Sequence, residues 1–356
     1  MEHSKRASIV IVAYNGIEYL GPCLSSLQRE VGPRDEIIVI DNASTDGSTD
    51  LVRRQWPHAM VIENMDNAGF GVACNMGAEH AQGRHLVFLN QDTEVLPGWL
   101  DALLEALESD DAVGLTTSAQ QYLAHPGLLH SAGSDLHYSG LIFLRGALQP
   151  ADGFAHRTEK VQSVVGASFA IHTEVWRELG GFEPEFFMYY EEMDLSWRAQ
   201  LAGYGCLYAP KSVVYHDVPL SGVSLDKLHY ICRNRLLSLL GNWRWPTLLL
   251  LTPGLALAEL AEFGFVALAG RWRGIWAKLK AYGWLLRNCG SVLRLRRERR
   301  STRRVPDWVV LAERTWTLQP REFTGGHVGQ MLARLASIPL YANGWIAWRI
   351  CRSLGW

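Results

Sequence analysis

Residues 7–16, ASIVIVAYNG, decide the fold of this 356-residue chain. Ala7 to Tyr14 is a short apolar run rich in β-branched residues, and the turn pair Asn15-Gly16 closes it, so it reads as a strand. A helical stretch follows to about Glu30. The same unit then recurs. Glu36–Asp41 precedes a helix over about Gly47–Trp56, Ala59–Glu63 precedes one over about Gly69–Ala81, and His85–Asn90 precedes one over about Pro97–Leu107. Strands separated by helices of this length require right-handed crossovers, which predicts an α/β fold with a mostly parallel central sheet covered on both faces.

Open sheets of this kind take ligands beyond the carboxyl ends of their strands. Here those ends read Tyr14-Asn15-Gly16, Asp41-Asn42-Ala43-Ser44, Asn67-Ala68-Gly69 and Asn90-Gln91-Asp92. Each is small and polar after a greasy strand, as a nucleotide site needs. Some of this is turn chemistry: Asp46-Gly47 reads as a helix cap, whereas Asp41, at a strand end, is open between cap and ligand. Asn67-Ala-Gly-Phe-Gly contains a GxG, but Cys74 stands in the place of the third glycine and the run follows the third strand. A dinucleotide fingerprint is therefore not indicated, and no Walker A sequence occurs.

Apolar residues make up 48% of the chain and charged residues 20%, with a net charge of −2. These values exclude a disordered acidic tail, a collagen-like chain and a uniformly basic nucleic-acid binder. The charge is nevertheless segregated: Arg271–Arg304 carries twelve Lys/Arg against the single acid Glu298. Ten of the fourteen tryptophans lie at or after Trp243, and indoles with arginines on amphipathic helices favour a membrane interface. Thr247–Gly270 is long enough to span a bilayer. Pro253, Glu259 and Glu262 within it favour instead a kinked helix that lies in the interface or packs on the rest of the chain, with a single span as the alternative. The basic stretch after it would meet anionic headgroups. The six cysteines are far apart without a C-x-x-C pair, so a zinc knuckle or disulfide framework is not expected and a reduced compartment fits. The polar start, Met1 to Ser8, does not read as a signal peptide. Residues 120–160 read as turn-rich, Gly166–His172 as a strand followed by a short helix over Glu174–Leu179, Lys211–Tyr215 as a strand, and a helix is expected from about Leu225. Ser337–Ile350 is too short to cross a bilayer.

Five strings, VIVAYNG (10–16), VIDNASTDGS (39–48), NAGFGVACNMG (67–77), LNQDTEV (89–95) and YYEEMDLSWR (189–198), stand in an order and spacing that resemble the family 2 glycosyltransferases over roughly residues 7–240. The subgroup most resembled is that of bacterial rhamnosyltransferases. The resemblance implies a GT-A type nucleotide-diphospho-sugar transferase fold over 1–240, with a nucleotide-sugar half (1–118) and an acceptor half (119–240). Residues 241–356 would form a helical, membrane-associating region. It implies an inverting enzyme that moves a sugar from a UDP- or dTDP-sugar to a hydroxyl of a saccharide or lipid-linked saccharide in cell-surface polysaccharide synthesis. The expected setting is the cytoplasmic face of the cell membrane, without nucleic acid as a partner.

By the same resemblance, Ala13, Tyr14, Asn15 and Asp41 line the nucleobase pocket, while Asn67 and Asn75 support the nucleotide and its loop. Asn90-Gln91-Asp92 falls at the Asp-x-Asp position with Asn replacing the first acid, which leaves Asp92 as the stronger ligand for a divalent metal (Mg or Mn). His216, in VVYHD, would complete the metal shell. Such an ion takes hard oxygen ligands and neutralises the diphosphate as it leaves. Inversion needs one general base to take the acceptor's proton, and Glu192 stands where the family has that base. Glu191 and Asp194 share a helix face, with Glu192 about 100° away, so the first two would brace while Glu192 faces the cleft. An acidic helix start favoured by the helix dipole is the competing reading. Gly166 resembles a glycine where the backbone passes close to sugar, and Arg233 of Arg233-Asn234-Arg235 would hold diphosphate or lipid phosphate, or else an interdomain salt bridge. A polyprenyl-phosphate glycosyl transferase and a catalytically silent sugar-nucleotide binding module remain as alternatives.

Overall fold

The computed structural model describes residues 4–154, 156–220, 227–268, 272–319 and 326–356. The chain divides into two compact units. The first comprises Met1–Ser134, Leu144–Ala199 and Tyr204–Gly222, and the second Asp135–Phe143, Gln200–Gly203 and Val223–Trp356.

The first unit opens with the alternation read from the sequence. β1 (Lys5–Ala13), α1 (Ile17–Leu27), β2 (Asp35–Asp41), α2 (Ser48–Gln55), β3 (Met60–Glu63), α3 (Phe70–His80) and β4 (Gly83–Asn90) follow one another, and α4 (Trp99–Leu107) comes after the short β5 (Thr93–Val95). Residues 120–160, expected as turns, instead hold strands. β6 (Val113–Tyr122) leads into β7 (His125–Ser131) and then, after β8 (Ser134–Leu136) and β9 (Ile142–Leu144), which belong mainly to the second unit, into β10 (Glu159–Val161). β11 (Ser168–His172), α5 (Thr173–Leu179), α6 (Glu191–Leu201) and β12 (Gly205–His216) complete the set.

The main sheet runs β10-β12-β6-β11-β4-β1-β2-β3, with β5 on β12 and β7 on β6. Pairing is parallel across β4-β1-β2-β3 and between β6 and β12, but β11 lies antiparallel between β4 and β6. The sheet is thus mixed, where a mostly parallel one was expected. Antiparallel neighbours need no helical crossover, and among the described residues the chain runs from β6 to its antiparallel neighbour β11 without an α-helix.

β1 is buried along Ala7–Ala13 and alternates its two faces. Ile9, Ile11 and Ala13 join one core with Leu20, Leu24 and Leu27 of α1 and Leu100, Leu103 and Leu107 of α4. Val10 meets α3 at Gly77, where a Cβ would collide with the valine side chain. On β4, Phe88 packs against Phe169, Trp176 and Phe182 with ring centroids 4.9, 4.6 and 5.7 Å away. Register then sets the position of the polar ends: Ala13 pairs with Asp41 and Val12 with Asn90, so three carboxyl ends lie side by side.

The second unit is helical: α7 (Leu228–Asn242), α8 (Trp245–Leu268), α9 (Trp272–Arg287), α10 (Cys289–Arg299), α11 (Asp307–Glu313) and α12 (Gly326–Leu354). The expected helix start near Leu225, the end of the apolar stretch at Gly270 and Arg271 lie outside the described residues. Among the described residues α8 alone, over Trp245–Gly264, is long and apolar enough to cross a membrane by length and composition. Its two acids are paired within the unit. Glu259 and Glu262 meet Arg235 of α7 and Lys278 of α9, and Tyr282 donates to Glu259. Burial works against the Glu259 charge, but Arg235 and Lys278 outweigh it and hold its pKa at about 2. All six cysteines are free thiols, of which only Cys289 is exposed.

Candidate active site

The sequence places Asp41 at the end of a buried strand, and the fold keeps it buried there. Its carboxylate accepts the Ser44 N–H at 3.2 Å. Two loops are fastened around it. Asn15, in the left-handed region at φ 45°, donates its N–H to Ser44 Oγ at 3.0 Å and accepts the Thr45 N–H on Oδ1 at 2.8 Å. Asp46 does the capping work its position suggested: it accepts the first N–H groups of α1 and α2, from Ile17 and Ser48, at 2.9 and 3.0 Å. Burial opposes its charge, yet these bonds and the Ser48 hydroxyl leave its pKa lowered.

Two residues that sequence reasoning passed over organise this edge. Gln91 presents its side-chain amide to the Tyr14 peptide, accepting the N–H at 3.0 Å and donating to the carbonyl at 3.2 Å. The amide lies over Gly16, where a Cβ would stand 2.5 Å from it. Asn42, buried beside Asp41, donates to Asn67 Oδ1 at 2.9 Å and accepts from Asn64 Nδ2 at 2.9 Å and the Ala68 N–H at 3.1 Å. Asn67 thus serves the loop before α3, also accepting the Gly69 N–H at 3.0 Å. The only signal for Asn42 and Gln91 was their place within polar strand ends.

Asp92 and His216 meet through strand pairing: β5 runs antiparallel to β12, setting Thr93 opposite His216. His216 Nε2 lies 3.4 Å from Asp92 Oδ1, close enough for both atoms to reach one ion at about 2.1–2.3 Å. The Asp217 N–H donates to the Asp92 carbonyl at 2.9 Å. Behind His216 stands His130, its ring edge-on at 5.4 Å, which no spacing in the sequence marked. Burial, then the neighbouring His216, push its pKa down to about 4 against the pull of Asp92. No group of three or more His, Cys, Asp or Glu able to hold a metal occurs among the described residues. The carboxylate and imidazole would supply two positions on an ion, whose remaining ligands would have to come from water or a bound ligand, although His216 Nδ1 lacks the hydrogen-bond partner that a ligating imidazole usually has.

The Asn90 N–H donates to the Ala167 carbonyl at 3.0 Å, and this bond brings the acidic helix to the same edge. Gly166 precedes Ala167, and a Cβ there would sit 3.5 Å from the Glu192 carboxyl carbon. Burial raises the Glu192 pKa, while its own N–H and that of Gly166 favour the ionised form. The helix faces divide as expected: Glu191 and Asp194 are buried and Glu192 only partly so. Asp194 accepts from Arg198 Nε at 2.8 Å, and Arg198 donates to the carbonyls of Leu179 and Gly181 at 2.6 and 2.7 Å. Glu191 packs against Gly71 of α3. Asn75 uses both ends of its amide on the Phe182 backbone, at 2.9 Å each, so it fastens the loop before α6.

That loop carries backbone strain. Tyr189 and Tyr190, immediately before α6, both have positive φ, 66° and 77°, an arrangement that side chains with a Cβ resist and that concentrates at functional sites. It docks on α3, with the Phe70 N–H donating to the Phe187 carbonyl at 2.9 Å. Arg233 is the candidate that belongs to the second unit; its guanidinium stacks over Tyr230 and Trp284 at 5.1 and 5.0 Å.

Residues 8–166 match the family model described as Glycosyl transferase family 2. The chain is 25% identical over 240 residues to the N-acetylglucosaminyl-diphospho-decaprenol L-rhamnosyltransferase of Mycobacterium tuberculosis, covering 58% of this chain and 75% of that one. Among solved structures, GalNAc-T7 with UDP, GalNAc and Mn2+ superposes at TM-score 0.54 and 22% identity, covering 67% of this chain and 48% of that one. S. aureus TarS 1-349 superposes at TM-score 0.52 and 15% identity, over 97% and 91% of the two chains. At these identities the two structures speak to the fold alone, and that fold is of the GT-A type.

Proposed function

From the premise that residues 8–166 form a family 2 glycosyltransferase domain, we propose that the chain transfers a sugar, with inversion, from a UDP- or dTDP-sugar to a hydroxyl of a saccharide or lipid-linked saccharide. The observation that carries this reading is the single edge shared by Asp41, Asp92, His216 and Glu192. Asp41 and the Ala13–Asn15 loop would read the imide edge of the base. Asn67 and Asn90 would hold the loops that flank the ribose and diphosphate. A divalent metal held by Asp92 and His216 would neutralise charge on the leaving diphosphate. Glu192 takes the proton of the acceptor hydroxyl as its oxygen attacks the anomeric carbon from the face opposite the diphosphate. The bond to diphosphate oxygen breaks with its electron pair going to the nucleotide. A carboxyl whose pKa is raised by burial is a better proton acceptor for that step. The name of the M. tuberculosis relative, with its rhamnosyl donor and lipid-diphosphate acceptor, supports a lipid-linked acceptor in cell-surface polysaccharide synthesis, reached from the cytoplasmic face of the membrane.

The test is a panel of UDP- and dTDP-sugars, an L-rhamnose donor included, read for metal-dependent hydrolysis and transfer by the full chain and by Glu192→Gln. The variant is expected to bind donor and lose turnover. Wild-type protein that binds donors but turns none over would be a silent binding module, and transfer to polyprenyl phosphate in place of a saccharide hydroxyl would favour the lipid-phosphate reading.

A further inference from the structure

Helix α9 is amphipathic with its sides reversed. The residues it buries are Gly274, Lys278 and Ala281, and Gly274 allows a close approach, since a Cβ there would stand 2.8 Å from Val266 of α8 and 3.2 Å from Leu228 of α7. The residues it exposes are large and apolar: Trp272 (65%), Trp276 (71%), Leu279 (46%) and Leu286 (80%). At about 100° per residue these four fall within about 80° of arc, opposite the buried side. Arg273, Lys280 and Arg287 are exposed as well; seven residues apart, they form a row along one edge of the apolar stripe. The helix's remaining cation, Lys278, is turned inward onto Glu259 and Glu262, so the acids of α8 do not neutralise that row.

α12 repeats the pattern at the same spacing. Met331, Leu335, Ile338 and Trp345 are exposed, while Ala333, Leu340 and Ala347 are buried. Arg334, Arg349 and Arg352 are exposed on this helix. Apolar stripes on the outside of a packed helical unit, edged by cations, suit neither free solvent nor a further layer of core. A second copy of the same face is disfavoured as the cover, because neither helix carries an acid that could pair with the other copy's cations.

We infer that the outward stripe of α9 is a docking surface for an anionic lipid bilayer. The indoles and leucines enter the headgroup–acyl boundary while Arg273, Lys280 and Arg287 lie at the phosphate level. α9 lies along the surface: it carries four Lys/Arg in 16 residues and is too short to span. The inference deepens the lipid-linked acceptor reading and rests on it only for its purpose, because docking is measured without donor or transfer. A failure of transfer and a failure of docking are therefore separate results.

The full chain is sedimented with vesicles of phosphatidylcholine alone or mixed with phosphatidylglycerol, at low and high salt. A fluorophore on Cys289, the one exposed thiol and two residues beyond α9, reports burial. Strong binding to the anionic vesicles, weakened by salt, is expected. The double variant Trp272→Ala, Trp276→Ala should lower partitioning at least tenfold on both lipids. Replacing Arg273, Lys280 and Arg287 by Gln should lower it roughly hundredfold on anionic vesicles only, at about fivefold per charge. Thermal melting of each variant should match the wild type, since these side chains are exposed. Vesicle binding that is absent, indifferent to anionic lipid or unchanged in both variants overturns the inference. So does a dimer in solution that the tryptophan substitutions convert to monomer.

Discussion

Gly69→Ala tests how helix α6 and the loop before it are held. Gly69 has φ 88° and ψ 164°, a region costing a residue with a Cβ about 1–3 kcal/mol. The added carbon would also stand 2.5 Å from the Phe187 carbonyl oxygen and 3.0 Å from its Cα. Both atoms are backbone, so no side-chain rotation relieves the contact. Moving Phe187 away breaks its bond from the Phe70 N–H, worth roughly 0.5–1.5 kcal/mol. Together these give a destabilisation of about 2–4 kcal/mol. A domain with about 5–15 kcal/mol of stability stays folded, and the strain is relieved by the loop of residues 186–190 that leads into Glu192. A shift of about 1 Å there costs on the order of a hundredfold in transfer rate. Gly98→Ala is the internal control: its φ is 82°, yet a Cβ there meets nothing within 4 Å, so it carries only the backbone cost of about 1–2 kcal/mol. Urea unfolding of the two variants, with transfer measured on each, separates strain from collision. Equal losses of stability, or full activity in Gly69→Ala, would refute the close approach as the feature that positions the loop.

Asn42→Ala removes the acceptor of Asn64 Nδ2 and of the Ala68 N–H and one of the two donors to Asn67 Oδ1, which keeps the Gly69 N–H. It should cost roughly 1–3 kcal/mol and raise the KM for donor more than it lowers kcat, as read by melting and by steady-state kinetics. Asp92→Asn and His216→Ala should each raise the metal concentration for half-maximal transfer by about tenfold or more, and an unchanged metal titration would exclude the pair. Because Glu192 must be ionised to accept a proton and burial raises its pKa, the rate should fall with decreasing pH above the ordinary glutamate value of about 4.3. A kcat/KM profile flat down to that value contradicts the assignment. Glu259 works in the opposite sense: its folded pKa, about 2, lies below the unfolded value. Its stabilisation is therefore full above about pH 4.3 and is lost as the pH falls toward about 2, amounting to roughly 3 kcal/mol. Glu259→Gln should flatten the acid unfolding curve across that window.

The strands and helices of residues 7–107 were legible because their signals are local: β-branched runs, turn pairs and helical spacing each report on neighbours in sequence. The burial of Glu191 and Asp194 and the partial exposure of Glu192 on α6 were legible for the same reason, since residues 191, 192 and 194 sit on a helix of known pitch. Asp92 and His216 were individually marked by their strings, but only the pairing of β5 with β12 sets them 3.4 Å apart. Gln91, Asn42 and His130 carried no distinguishing pattern, because their partners lie on strands or loops remote in sequence.

The sequence by itself determined which segments pair a strand with a helix, which strand ends are polar and which helices have an apolar side. Periodicity is enough for that, as each element's own backbone geometry imposes it. The tertiary structure decided the rest: that β11 enters antiparallel, that Glu259 and Glu262 are buried against Arg235 and Lys278, and that the apolar side of α9 faces outward. A helix's pattern fixes the angle between its two sides, but which side is inward depends on neighbours such as Val266 and Leu228, which leave room only for the glycine side.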